Sequence, residues 1–235
     1  MTDHVLDRAR LVEAVGKDVA DMAHFWMLRK FQFLELAREQ FELVVDPWLS
    51  YCEEPSQNEI MAYNMAFTDW LLFERPHYRG HTLLELFVDE PPASLSPASL
   101  GRLEQVRDTH YFSRFGILDK DPATGMVALR DTRTDRRLDL FDPHIVQKDH
   151  WNDGAIAVRV ACVDDVWLTV GQLYMYDIAR LCDTAVDGPG SVHPEDLDDG
   201  FDTGQLSFYL RLVRDTMGAQ GRYVKSLNIY EQEWK

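Results

Sequence analysis

At 235 residues, 46% hydrophobic and 27% charged, the chain has the composition of a folded protein and the length to bury a substantial core, as one domain or two small ones packed together. Forty acidic against 24 basic residues leave a formal charge of −16, which disfavours nonspecific attachment to phosphate backbones or anionic lipid. The three cysteines, Cys52, Cys162 and Cys182, share no CxxC spacing, which argues against a disulfide framework or a four-cysteine zinc site and for a reducing, cytoplasmic compartment.

The first residues are charged and carry no apolar run of the kind a secretory signal needs. Over residues 2–45, Val12, Val15, Val19, Met22 and Trp26 step by 3 and 4 along one helical stripe. Phe25, Met27, Leu28, Phe31, Phe33, Leu34 and Leu36 then cover most of the circumference. This predicts one long helix or two, buried on several sides in the second half and ended by Asp46-Pro47. Residues 58–73, with Met61, Met65, Trp70 and Phe73, read as a core helix stopped by Pro76. Thr82 can cap a short helix holding Leu83, Leu86 and Phe87, and Ser96-Pro97 opens another with Leu100, Leu103 and Val106 on its apolar face.

Near His110 the period changes. Residues 111–118, 126–130, 137–141, 155–163 and 166–176 are rich in β-branched and aromatic side chains and predict five strands. Asp121 to Gly125, Thr134-Asp135 and Asp164-Asp165 supply the turns. Ile156, Val158, Val160 and Cys162 alternate with Ala157, Arg159 and Ala161, which face the other way. Connections this short favour antiparallel neighbours, and five short strands curl readily into a partly closed barrel. The longest uncharged runs, such as 166–176, span about eleven residues against the roughly twenty of a membrane-spanning helix, so no membrane span is expected.

Residues 183–202 hold seven acids and no lysine or arginine, and read as a mobile loop. Asp202 can cap a last helix carrying Leu206, Leu210, Val213 and Met217, stopped by Gly218 and Gly221; the tail from Val224 fits a strand or a helix. The expected fold class is therefore α+β: a helical N-terminal region (1–108), a small five-stranded antiparallel, barrel-like segment (109–180), and an acidic loop with a C-terminal helix (181–235).

Residues that could carry chemistry are few. Asp142, His144, Asp149 and His150 crowd one connection and form a candidate metal or acid–base cluster, although Asp142-Pro143 also makes an ordinary turn. His77 and His81 have ligand spacing, but Pro76 and Gly80 place them in a loop. The acids from Glu195 to Asp202 miss the register of a calcium loop. Arg130, Arg133, Arg136 and Arg137 form a candidate single-stranded nucleic-acid patch, with Asp131, Asp135 and Asp139 placed to neutralise it. No GxSxG elbow, phosphate-binding glycine loop or activated cysteine context is present, and no cofactor is expected.

Five segments carry a resemblance: Phe67-Thr68-Asp69-Trp70-Leu71-Leu72-Phe73, Leu83-Leu84-Glu85-Leu86-Phe87, Leu95-Ser96-Pro97, Ser113-Arg114-Phe115-Gly116-Ile117-Leu118 and Leu129-Arg130-Asp131-Thr132. Across residues 60–175 the chain resembles the body of bacterial proteins that often end in a SEC-C zinc motif, a motif absent here. The resemblance implies a helical region followed by a small β domain and assigns no site residue. The sequence as a whole reads as a non-enzymatic interaction or regulatory protein with a protein partner, a homodimer included. Nucleic-acid binding through the arginines and a metal-dependent enzyme at Asp142, His144, Asp149 and His150 are the alternatives.

Overall fold

A computed structural model describes residues 3–30, 33–171, 173–177, 188–192 and 207–222. The predicted mobile loop at 183–202, the acids from Glu195 to Asp202 and the tail from Val224 lie largely or wholly outside them. The described residues form seven α-helices, a short 3-10 helix and a six-stranded mixed sheet.

The N-terminal stripe folds as two helices, α1 (Asp3–Met27) and α2 (Leu34–Val45). Val15, Val19 and Met22 are buried on α1, and Ala37, Phe41 and Val45, four apart, are buried on α2. Asp46 closes α2 in the left-handed conformation, and Trp48–Tyr51 follows as the 3-10 helix. Helix α3 (Gln57–Phe73) opens on a capping box in which Ser56 and Glu59 exchange hydrogen bonds, and Thr82 with Glu85 opens α4 (Leu83–Asp89) in the same way. Ser96 caps α5 (Pro97–Thr109), whose Pro97 fits the first turn because its missing N–H would have no helical partner. The rings of Tyr63, Phe67 and Trp70 on α3 surround Phe41, with centroids 5.3–5.7 Å away, which fixes α2 against α3.

The strands are β1 (Tyr111–Asp121), β2 (Met126–Asp131), β3 (Arg137–Phe141), β4 (Ala155–Val163), β5 (Val166–Thr169) and β6 (Met175–Asp177). Helix α6 (Pro143–Gln147) joins β3 to β4, and α7 (Phe208–Met217), capped by Ser207, lies after β6. Strand order is β1-β2-β3-β5-β4-β6, and β1 also pairs with β4, so five strands return on themselves.

Two expectations are corrected. Neighbour pairing is not all antiparallel, because β3 and β5 run parallel at Phe141 and Leu168. The reason is parity: directions can alternate all the way round only an even ring, so a ring of five must hold a parallel pair. The fifth predicted strand is also two strands. It breaks at Gly171, whose φ of 93° most side chains resist. A Cβ there would stand 2.7 Å from Asp69 Oδ1.

Strand β4 is buried on both faces. Ile156, Val158 and Val160 point into a core inside the strands with Phe115, Leu129, Leu140 and Trp151. Ala157, Ala161 and Val163 join the larger core built with α1 to α5 and α7. That larger core takes residues from all three predicted segments, among them Val15, Phe112 and Tyr209.

Candidate functional site: a cavity floored by a buried ion pair

The alternation of β4 turns Arg159 toward the helices, where it is 1% exposed. Its guanidinium donates to Asp69 Oδ2 from Nε and Nη2 (3.2 and 2.8 Å) and from Nη2 to Glu74 Oε1 (2.8 Å). Asp69 lies in the last turns of α3, and Glu74 is the residue at which that helix ends. The rings of Phe73, Phe112 and Tyr209 lie 4.7–5.7 Å from the guanidinium carbon. Burial alone would favour loss of the arginine proton, but Asp69 and Glu74 outweigh it and hold Arg159 charged, above the usual arginine range.

Two neighbours complete the cluster. Tyr209 donates its hydroxyl to the Ala66 carbonyl at 2.8 Å, and burial, reinforced by the Asp69 charge, pushes its ionisation well above the ordinary value. His110 presents Nδ1 to Arg159 Nη1 at 3.2 Å, a geometry that requires Nδ1 to be unprotonated so that it can accept. Burial, then the adjacent Arg159 charge, lowers the His110 pKa to about 4.

Above this cluster a cavity of about 660 Å³ runs between α1 and α3. From α1 it is lined by Gly16, Val19, Ala20, Ala23, His24 and Met27, whose alternating spacings of 3 and 1 put them on one helical face. From α3 come Ile60, Met61, Asn64, Met65, Thr68 and Asp69 in the same rhythm. The small residues of α1 leave the space that larger ones would fill. Gly16, Ala20, His24, Met27, Asn64 and Thr68 are exposed, so the cavity opens to solvent along both helices. Asp69, 5% exposed, and Gly171 lie at its inner end. With Oδ2 engaged by Arg159, Asp69 Oδ1 abuts Gly171, the missing side chain making room for it. The walls are mainly aliphatic and thioether, the polar groups are few, and the volume suits a small organic molecule.

The residues singled out from sequence lie elsewhere. Arg130 pairs with Asp135 and Arg137 with Asp139. Arg133 sits over the Phe208 ring at 4.4 Å, while Arg136 lies 5.8 Å from the Trp167 ring, so the four arginines go to different neighbours. Asp131 does not serve as their counter-ion: it is buried, and it accepts from Ser113 Oγ and from the backbone N–H groups of Arg133 and Thr134, which shapes the turn.

Asp142, 4% exposed, caps α6 by accepting from Ile145 N at 3.0 Å, and its other oxygen accepts from the hydroxyls of Thr169 and Tyr174. His144 packs on the Trp151 and Tyr174 rings and His150 meets Trp151 edge-on, while Asp149 is exposed and its charge acts on Lys120. His77 lies 3.1 Å from an Arg75 nitrogen, and burial followed by that charge lowers its pKa. His81 lies 3.8 Å from Glu85. Among the described residues no group of three or more His, Cys, Asp or Glu side chains is placed to hold a metal ion, and no helix is long and apolar enough to cross a membrane.

Asp69 falls within the core helix expected at 58–73 and Arg159 on the strand face opposite Ile156, Val158 and Val160, but no spacing in the sequence joins the two. The available signal was a charged residue inside each of two strongly apolar elements, where an unpaired charge is costly. Compared with protein-family models, curated proteins and solved structures, the chain matches none.

Proposed function

We propose that this is a binding protein for a small, mainly apolar molecule taken up between α1 and α3. The observation that carries the reading is the cavity itself: about 660 Å³ with aliphatic walls and a buried carboxylate at its inner end. That volume falls within the range of roughly 300–1,000 Å³ typical of small-molecule sites. Nile red, neutral and fluorescent in apolar surroundings, tests it. The probe should bind with a blue-shifted emission at about one site per chain, and Ala23→Trp or Ala20→Trp, which put an indole into the space, should weaken binding at least tenfold. Binding unchanged in both folded variants would place the probe elsewhere and sink the proposal.

A second reading, association with a protein, is favoured by a different surface. Leu36 and Leu43, seven apart and hence on one side of α2, are 56% and 74% exposed, and Trp48 and Tyr51 beyond them are 48% and 63% exposed. Self-association through this surface predicts a concentration-dependent dimer in sedimentation velocity that Leu43→Glu disperses. A monomer at high micromolar concentration would remove the homodimer.

A further inference from the structure

We infer that the ligand of this cavity carries a positively charged amine at the end that reaches Asp69, on an apolar body lying along α1 and α3. The inference rests on the cavity being a ligand site, as proposed above, and adds the chemistry of the ligand's polar end.

Charge at the inner end supports it. Two carboxylates, Asp69 and Glu74, face one guanidinium, Arg159, so the trio carries a net charge of −1. No lysine or arginine lines the cavity among the described residues. Asp69 and Glu74 also sit at the C-terminal end of α3, where the carbonyl ends of the helix concentrate partial negative charge and favour a cation. Among the described residues an anionic head would meet this field with only His24 and neutral polar groups around it.

Position supports it as well. Arg159 grips Asp69 Oδ2 from the β4 side and fixes the carboxylate, so that Oδ1 is turned toward Gly171 at the end of the cavity. Thr68 and Asn64 add a hydroxyl and an amide, and no cation, to the same wall of the cavity. Along the walls, Val19, Ala23, Ile60, Met61 and Met65 can bury only apolar surface. The thioethers of Met61 and Met65 adapt to chains of different shape.

Three eight-carbon probes that differ only in the head group separate this inference from the reading beneath it: octylammonium, octanol and octanoate, titrated calorimetrically at pH 8 below their aggregation concentrations. Octylammonium should bind at least tenfold more tightly than octanol, with octanoate weakest. Asp69→Asn should cut that preference to less than about threefold while octanol binding persists. Should Asp69→Asn fail to fold, Glu74→Gln supplies the same test, because it brings the net charge of the trio to zero from outside the cavity lining; it should cut the preference for octylammonium at least threefold and leave octanol unchanged. Equal binding of the three probes, or a preference that survives both variants, overturns the amine while leaving the cavity as an apolar site. No binding by any probe, or binding that Ala23→Trp does not weaken, overturns the cavity reading and the amine with it.

Discussion

Replacing Arg159 by methionine is expected to destabilise the protein by about 3–5 kcal/mol, the cost of leaving buried carboxylates without their cation. Asp69 is 5% exposed, and the rings of Phe73, Phe112 and Tyr209 that surround the guanidinium offer no charge to replace it. Glu74, with its side chain 21% exposed, can turn partly to solvent, so most of the loss should come through Asp69. A double-mutant cycle isolates that share. Asp69→Asn combined with Arg159→Met should recover the protein to within about 2 kcal/mol of wild type, because a charged pair is replaced by groups that cost less to bury. Urea unfolding gives all four stabilities. A coupling energy below about 0.5 kcal/mol would show that the pair is not acting as a unit.

The second large effect is on acid stability. With a folded pKa near 4 against an ordinary value of 6.5, His110 takes up its proton more readily in the unfolded chain. Its contribution is therefore fully present above pH 6.5 and is lost as pH falls toward 4, the unfolded state binding more protons throughout that window. By pH 4.5 the loss should reach about 2.5 kcal/mol. Physically, protonation removes the lone pair that accepts from Arg159 and sets two cations 3.2 Å apart. In His110→Gln the amide oxygen can still accept from Arg159 but nothing titrates. The drop in unfolding free energy between pH 7 and 4.5 should shrink by about 2.5 kcal/mol in that variant, and an unaltered drop would reject the assignment.

How much of this was legible in the sequence depended on how local the cause was. The starts of α4 and α5 were readable because Thr82, Ser96 and Pro97 act within one turn of themselves, and the Asp164-Asp165 turn because both residues accept positive φ, 49° and 60°. The division of the first helical stretch is not legible, since nothing between Met27 and Leu34 breaks a helix by composition. Gly171 was visible as a glycine, but its reason for being one is a carboxylate on α3, more than a hundred residues earlier. The cavity was illegible for a related reason. Gly16, Ala20 and Ala23 along one side of a helix usually signal close packing by a second helix, and only the tertiary structure shows α3 standing off far enough to leave space. Asp142, by contrast, stands close in sequence to His144 and His150, whereas its carboxylate is used in capping α6 and binding the Thr169 and Tyr174 hydroxyls.

Strand β4 has one further consequence, for how freely this sequence can drift. Ordinary strands at a surface accept change on the side that faces water. Here every residue from Ala155 to Ala161 is buried, Ile156, Val158 and Val160 inside the ring of strands and Ala157, Arg159 and Ala161 against the helices. Interiors are packed too densely to absorb even one extra methylene without a neighbour moving. The strand consequently offers selection no neutral site over those seven residues. The small side chains on its helical face, Ala157 and Ala161, are held small by the same packing that gives Arg159 room to lie between them.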